Sequence, residues 1–474
     1  MIQAETIEKI EEIKTNINRL NEQLEEHYRN ILIEDANLSR QIVSFQANKR
    51  TASFRWYKYK EAFSAVLIEY FINKFGLNNK NILDPFAGVG TTLFASSNLG
   101  CKCTGIELLS IGQKIIETRI KAHYGFYNNY IDYLKSILSE KPWLGINSDI
   151  KLNELRITKN AYPNETKKSI QSFIKLISTY SNSVKDLLEL ALLSILEEIS
   201  FTRKDGQYLR WDYRANRGYG QKIFDKGLIK DFDTAIIKKL NEIILDLNGN
   251  DELYLWGFDH RTSEKGEIKL IKGSCLDELP KLNSNTFDAI ITSPPYCNRY
   301  DYTRTYALEL ALLGVDEKSL LDLRQTMLSC TVENREKNLL EMNSSWSRAI
   351  HVAEQVDLLK TILVYLNEMK KVKRLNNNGI VRMIRGYFFE MSCVIYELHR
   401  VLKKGGYVIM VNDNVRYAGV CVPVDLILSR IAENIGFNIN NILVLPQKKG
   451  NSSQQMSKHG RKELRKCVYV WEKM

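Results

Sequence analysis

The chain has 474 residues, of which 44% are hydrophobic and 26% charged, a composition typical of a folded globular protein with two or three domains. No stretch approaches the roughly 18 consecutive apolar residues of a membrane span, and the N-terminus lacks the pattern of a signal peptide. We therefore expect a cytoplasmic protein. The formal net charge of +11 favours a polyanionic partner, because Lys and Arg neutralise phosphates and release counterions.

The eight cysteines are scattered, form no C-x-x-C pair and have no histidine cluster beside them. A structural zinc site requires four closely spaced ligands, so we expect no metal site and interpret the cysteines as buried free thiols.

Residues 5–33 have apolar side chains at 3-4-3-4 spacing, which predicts a helix that packs on its own domain rather than a dimerising coiled coil. A strand over 81–84 and a helix from about 93 to 99 follow, and then a second strand over 101–107. Residues 113–265 interrupt this alternation with mostly helical, polar sequence.

The alternation resumes with strands at 268–273 and 287–293. A largely helical stretch at 305–400 includes a possible insert at 316–375, and a strand (405–412), a helix (424–434) and two late strands (441–446 and 467–471) follow it. Strands that alternate with helices predict an α/β fold with a doubly wound, mainly parallel sheet. We divide the chain into an N-terminal helical segment (1–44), a split sheet domain (45–112 and 266–474) and a mainly helical inserted domain (113–265).

The first chemical motif is a glycine-rich turn, Asp84-Pro-Phe-Ala-Gly-Val-Gly-Thr-Thr92, between a strand and a helix. Such a turn lets the backbone approach a ligand at the carboxyl ends of the strands. It has neither the G-x-G-x-x-G spacing nor the Gly-Lys-Ser/Thr of a phosphate loop. A second acid, Glu107, ends the next strand, where a carboxylate accepts hydrogen bonds from ribose hydroxyls. The pair predicts a nucleoside cofactor.

The second motif is Ser293-Pro294-Pro295-Tyr296, directly after a predicted strand. A proline pair removes two backbone donors and leaves carbonyls free to face a cleft. Acceptors beside an aromatic ring suit an amino group on a flipped-out base, since the acceptors orient the nitrogen while the base stacks on the tyrosine.

Together the two motifs resemble those of the amino-methyltransferase family of DNA modification enzymes, which is common in restriction–modification systems. The resemblance covers residues 45–112, 268–313 and 386–473 and implies a Rossmann-like methyltransferase fold with S-adenosylmethionine as cofactor. It implies that Glu107 holds the ribose and that residues 55–64 form a further cofactor segment. Many family members have an acid at the position of Ser274, so a backbone contact there is plausible. The residues expected to bind the cofactor are Asp84, Pro85, Phe86, Gly88, Gly90, Thr91, Thr92, Glu107, Ser274 and Cys275.

In this family a large insert is usually where target recognition occurs, so 113–265 is the expected recognition domain and 316–375 its competitor. Residues 201–222 interleave cations with aromatics, a pattern that suits phosphate contact and base stacking, although a solvated basic loop would have the same pattern. A further basic loop contains Lys448, Lys449, Lys458, Arg461 and Lys462. The residues expected to contact double-stranded DNA are Arg203, Lys204, Arg210, Trp211, Arg214, Arg217, Arg299 and Arg304.

The resemblance implies direct methyl transfer to an amino nitrogen, with Ser293 and the Pro294 carbonyl as acceptors and Tyr296 as the stacking ring. No Pro-Cys nucleophile motif follows the strand, which disfavours methylation of a ring carbon. Ser rather than Asp before Pro-Pro-Tyr favours N4-cytosine over N6-adenine. An RNA methyltransferase and a catalytically silent DNA-binding subunit are alternatives. A companion restriction endonuclease is an expected partner, while the target sequence and oligomeric state stay open.

Overall fold

The computed structural model describes residues 2–39, 42–180, 182–205, 208–217, 223–249, 264–446 and 464–474. Its strands are β1 Leu32–Glu34, β2 Asn81–Asp84, β3 Lys102–Glu107, β4 Thr202–Asp205, β5 Tyr208–Trp211, β6 Ile268–Lys272, β7 Phe287–Thr292, β8 Leu402–Asp413, β9 Val415–Tyr417, β10 Val420–Val422, β11 Phe437–Val444 and β12 Lys466–Lys473.

The helices of these described residues are distributed before, between and after the strands. They are α1 Ile2–His27, α2 Ala65–Lys74, α3 Thr91–Asn98, α4 Ser110–His123, α5 Ile131–Glu140, α6 Asn164–Ser178, α7 Asn182–Ile195, α8 Phe232–Leu247, α9 Cys275–Glu278, α10 Tyr302–Thr305, α11 Ala307–Leu312, α12 Glu317–Thr326, α13 Leu339–Met342, α14 Ser347–Glu354, α15 Asp357–Lys371, α16 Ile380–Val401 and α17 Val424–Ile435.

Eight strands form one sheet in the order β1-β11-β12-β8-β7-β2-β3-β6. All neighbouring pairs are parallel except the two that involve β12. From β2 the chain first adds β3 and β6 on one side and then β7 and β8 on the other. The strand order therefore reverses between β2 and β7, the point at which open α/β sheets bind ligands.

Both faces of the sheet are covered, which explains why the central strands bury apolar side chains on both faces. Successive residues of β2 point to opposite faces, so Ile82 packs in the core under α2 and α3 while Leu83 packs in the core under α16 and α17. This arrangement confirms the predicted doubly wound α/β class. None of the helices described in the structure is long and apolar enough to cross a membrane.

The first 34 residues differ in part from the prediction. The helix α1 ends at His27, earlier than predicted, and packs along α15. It is followed by the short strand β1, which pairs with β11 through Leu32 and Ile442. The sequence of β1 is too short for an alternation pattern to be visible, and its partner is distant in the chain.

The region 113–265 is mainly helical in its described part, with α5 to α8 around one core. That core also contains Trp56, Tyr57 and Tyr59 from the segment before β2. The segment 201–217 contains the two-stranded hairpin β4–β5, in which Arg203 lies opposite Arg210. Residues 206–207 and 218–222 of the predicted basic-aromatic run, and the basic loop with Lys448 to Lys462, lie outside the described residues.

Candidate active site

A cavity of about 410 Å³ lies at the carboxyl ends of β2, β3, β6 and β7, next to the reversal in strand order. Its size is within the range of small-molecule and cofactor sites. The glycine-rich turn forms one side and the Ser-Pro-Pro-Tyr turn another, so a single cavity adjoins both motifs. Predicted site residues that line it are Asp84, Pro85, Phe86, Gly88, Thr91, Glu107, Ser274, Cys275, Ser293, Pro294, Pro295 and Tyr296.

Gly90 and Thr92 do not line the cavity, but they help to fix the conformation of the turn that does. Gly90 has a left-handed backbone (φ 81°) at the start of α3, a conformation that a residue with a Cβ rarely adopts. Thr92 is fully buried and donates its hydroxyl to the carbonyl of Ile291 at 3.2 Å. Thr92 therefore holds the start of α3 against β7, while Gly90 allows the tight turn from which this helix begins.

Asp84 connects the two motifs directly. Its Oδ1 accepts a hydrogen bond from the Thr292 hydroxyl at 2.6 Å and another from the Phe86 N–H at 3.0 Å. Burial raises the pKa of the Asp84 carboxyl to about 6, and the hydrogen bonds from Thr292, Thr92 and Phe86 oppose that rise. Since Thr292 precedes Ser293, this carboxyl fixes the glycine-rich turn relative to the end of β7.

Glu107 lies at the end of β3 and is almost completely buried. Its two oxygens accept hydrogen bonds at 2.7 Å from the backbone N–H groups of Gly88 and Leu109. Burial raises the pKa of this carboxyl to about 8, although the two N–H donors lower it. Each oxygen keeps a lone pair for a further donor, as a ribose diol would require.

The cavity fits the adenosyl cofactor that the sequence predicts. It combines the Glu107 carboxylate with apolar walls that include Phe86 and Leu109. Thr91 also lines it, and the buried hydroxyl oxygen of this residue has no hydrogen-bond partner among the described residues. An unused donor and acceptor at the wall of a cavity is typical of a ligand site.

The Ser293–Tyr296 turn is anchored to the neighbouring strand. The Ser293 hydroxyl donates to the carbonyl of Val411 on β8 at 3.1 Å, which leaves its oxygen lone pairs as acceptors. The hydroxyl oxygen of Tyr296 lies 3.4 Å from Ser293 Oγ. Burial raises the pKa of Tyr296, so its phenol stays neutral and its ring is available for stacking.

Ser274 and Cys275 are placed by the start of α9. The Ser274 oxygen accepts from the Leu276 N–H at 3.3 Å, and its hydroxyl lies 3.4 Å from the carbonyl of Thr326. The Cys275 thiol is buried, and burial raises its pKa to well above the ordinary value. Within the described residues, no group of three or more His, Cys, Asp and Glu side chains is arranged as a metal site.

Sequence reasoning missed part of the cavity wall. Met327 and Leu328 carry no motif and come from the segment after α12, so nothing in the sequence marks them. Asp413 lies at the end of β8, next to β7, and the argument used for Asp84 and Glu107 would have identified it. Tyr300 and Tyr302 also line the cavity, and they lie between Arg299 and Arg304, the two residues of this segment that were predicted to contact DNA.

The predicted DNA contacts on the hairpin differ in exposure. Arg203 is exposed, whereas Lys204 is buried and forms an ion pair with Glu309, so Lys204 is not an exposed phosphate contact and that prediction is corrected. Arg210 pairs with Asp205 at 3.2 Å, and its guanidinium lies over the ring of Phe224.

Arg214, Arg217 and Arg304 also have intramolecular partners. Arg214 makes a two-pronged contact with Asp212, and Arg217 lies over the ring of Trp211 at 4.0 Å. Arg304 pairs with Glu333 at 2.7 Å, and Arg299 has a left-handed backbone (φ 66°) three residues after Tyr296. Their contacts with DNA stay predictions.

The sheet order and the shared cavity are those of a Rossmann-like methyltransferase, and the Ser293-Pro-Pro-Tyr296 motif is that of the amino-methyltransferases. A family model described as a DNA methylase matches residues 3–117. The type II methyltransferase M.AvaI of Nostoc sp. (strain PCC 7120 / SAG 25.82 / UTEX 2576) is 53% identical over 463 residues, which is 96% of this chain and 94% of that protein. The same values hold for M.AvaI of Anabaena variabilis.

The type II methyltransferase M.BsoBI of Geobacillus stearothermophilus is 42% identical over 476 residues, covering 95% of this chain and 91% of that protein. The chain therefore belongs to the N6/N4 family of DNA methylases, together with these type II methyltransferases. The family confirms the predicted amino-methyltransferase class and disfavours the alternative of an RNA methyltransferase.

Proposed function

We propose that this protein transfers a methyl group from S-adenosylmethionine to the exocyclic amino nitrogen of a flipped base in a specific sequence of double-stranded DNA. The observation that supports this most strongly is the single cavity shared by the nucleoside-type turn and the Ser-Pro-Pro-Tyr turn. When bound, S-adenosylmethionine supplies an electrophilic methyl group on a positively charged sulfur.

The residues of the chain supply binding and orientation. Glu107 accepts hydrogen bonds from the ribose, and the turn from Asp84 to Thr92 encloses the methionine portion. Ser293 and the Pro294 carbonyl accept the two amino hydrogens, while the Tyr296 ring stacks on the base. Held in this way, the amino lone pair faces the methyl group. Orientation of this kind lowers the activation barrier by several kcal/mol. After transfer the methylated nitrogen loses its extra proton to solvent water.

We further propose N4 of cytosine as the acceptor in preference to N6 of adenine, on the basis of Ser293 before Pro-Pro-Tyr. Both amino groups are conjugated NH₂ donors with similar needs, so the product must be identified directly. Nucleoside mass spectrometry of DNA from cells that express the protein should give N4-methylcytosine. Methyladenine as the sole product would contradict this preference.

The roles of the motifs predict separable defects. We expect Tyr296→Ala to lose about 1–3 kcal/mol of base stacking and to slow transfer strongly, while S-adenosylmethionine binding stays near that of the parent. Ser293→Ala should have the same signature, whereas Asp84→Ala should weaken cofactor binding. Calorimetry and a tritium-transfer assay measure the two properties, and Tyr296→Phe is the matched control that keeps the ring.

Full activity of Tyr296→Ala would contradict the assignment of the catalytic turn. If the parent protein binds DNA and cofactor but transfers no methyl group, it is the catalytically silent DNA-binding subunit instead. The proposed partner is a restriction endonuclease for the same sequence. Protection of the modified DNA from such a nuclease tests that pairing.

A further inference from the structure

Lys204 of β4 is a buried lysine whose charge is matched inside the protein. Its Nζ contacts the carboxylate of Glu309 in α11, and the two side chains are 3% and 1% exposed. The Tyr57 hydroxyl donates to the same Glu309 oxygen at 2.8 Å and lies 3.1 Å from Lys204 Nζ. Three segments that are distant in sequence therefore meet at one charge pair.

A buried ion pair contributes little net stability, because removing both charges from water offsets most of their attraction. Here the compensation is incomplete, since the second oxygen of Glu309 has no hydrogen-bond partner among the described residues. What such a pair does provide is a fixed geometry. It holds the hairpin β4–β5 at one position relative to α11.

Two tyrosine rings connect the Lys204–Glu309 pair to the wall of the active site. Lys204 Nζ lies 4.3 Å from the ring centre of Tyr306, a cation–π distance. The Tyr306 ring is stacked on Tyr59 with centres 5.0 Å apart and planes 11° apart. Tyr59 in turn lies against Gly88, where an added Cβ would be 3.3 Å from the Tyr59 ring.

The same tyrosine reaches the catalytic loop through a carboxylate. The hydroxyls of Tyr306 and Tyr300 donate to the two oxygens of Glu61. Tyr300 follows the Ser-Pro-Pro-Tyr turn by four residues, and both Glu61 and Tyr300 line the cavity. An unbroken series of polar and ring contacts therefore joins the hairpin of the insert to the loop after Tyr296.

We propose that Lys204 and Glu309 are positioning residues that transmit the placement of the hairpin on DNA to the catalytic turn, through Tyr306, Glu61 and Tyr300. This inference rests on the proposed function and on the predicted contact of the hairpin with DNA. When the hairpin binds DNA, the Lys204–Glu309 pair holds Tyr306 in its position. Glu61 then holds Tyr300 and the turn before it in the geometry that methyl transfer requires. A base bound without this alignment reacts slowly.

The test is the variant Lys204→Met, which keeps the length of the side chain and removes its charge. We expect the dissociation constants for S-adenosylmethionine and for specific DNA to stay within about threefold of the parent, because neither ligand touches Lys204. The single-turnover rate at saturating DNA and cofactor should fall by about tenfold to a hundredfold, as for small misplacements of a catalytic group. Rates are normalised to the active fraction from calorimetric cofactor binding.

A matched control comes from another insert lysine. Lys167 pairs with Glu154 at 2.7 Å and is outside this series of contacts, so Lys167→Met should keep the parental rate. Tyr300→Phe removes only the hydroxyl that reaches Glu61. If the residues act in one series, the double variant Lys204→Met/Tyr300→Phe should be no slower than the slower single variant.

Two results would overturn the inference. One is a parental single-turnover rate for Lys204→Met, and the other is fully additive losses in the double variant. Should Lys204→Met fail to fold, Glu309→Gln, which keeps an acceptor for Tyr57, takes its place with the same expectations. Absence of transfer by the parent protein would instead contradict the proposed function itself.

Discussion

The carboxyl of Glu107 combines deep burial with a place in the cavity wall, and its pKa of about 8 predicts that cofactor binding depends on pH. In the free protein the neutral acid is favoured at pH 6 to 7. Ribose hydroxyl donors and a nearby positive sulfur favour the ionised form, so binding releases a proton. We expect affinity for S-adenosylmethionine to rise between pH 6 and about 8 and then to level off.

Calorimetry in buffers of different ionisation enthalpy measures this proton release. The variant Glu107→Gln is the control, because the amino group of the cofactor ionises in the same way in the experiments with the parent protein and with the variant. The difference between the two proteins isolates the Glu107 contribution. Identical pH profiles would contradict the raised pKa.

A second residue-scale prediction concerns Gly112 in the first turn of α4. A Cβ at this position would lie 2.3 Å from the carbonyl oxygen of Gly88 and 2.8 Å from Glu107 Cγ. Because the backbone at Gly88 would have to move to relieve this overlap, Gly112→Ala should destabilise the fold by about 1–3 kcal/mol and weaken cofactor binding. Gly145→Ala, where the added Cβ meets nothing within 4 Å, is the matched control for thermal unfolding and for cofactor titration.

At the scale of elements, two exposed arginines differ in whether a carboxylate holds them: Arg203 lies on β4, and Arg214 follows β5. Arg203 is exposed, whereas Arg214 is bound by Asp212, whose pKa this guanidinium holds at about 2. We expect Arg203→Ala to weaken binding to all DNA sequences and to flatten the salt dependence by about one unit. Arg214→Ala should leave that slope nearly unchanged.

Arg210 lies opposite Arg203 on the hairpin and is predicted to read a base. Its replacement by Ala should cost about 1–3 kcal/mol at one position of the site and little elsewhere. Fluorescence anisotropy at several salt concentrations distinguishes the two effects. If neither Arg203→Ala nor Arg210→Ala alters binding, the segment 316–375 becomes the better candidate for recognition.

Elements with strong local patterns were predictable, while contacts between distant residues were not. The turn from Asp84 to Thr92 and the strand before Ser293 were visible because apolar strands, glycines and acids stand together in the sequence. The burial of Lys204 depends on Glu309, about a hundred residues later, and no local pattern distinguishes it from Arg203. The contacts of Glu61 with Tyr300 and Tyr306 were hidden for the same reason.

At the scale of the whole molecule, the helical insert shares its core with the methyltransferase sheet. One cluster contains Tyr57, Val89 and Ile111 together with Leu188 and Leu196 of the insert region. Because burial of these side chains depends on both parts, we expect a single cooperative unfolding transition despite the length of the chain. Differential scanning calorimetry measures it, and two resolved transitions would show that the insert is independently stable.

The pairing of β1 with β11 has a consequence for how the protein is made. Leu32 leaves the ribosome early, while its partner Ile442 is synthesised roughly 400 residues later. At about 5–20 residues per second, β1 waits about 20 to 80 s for the strand it joins. The outer edge of the sheet can therefore close only after β11 has been synthesised, and until then β1 stays unpaired in the nascent chain.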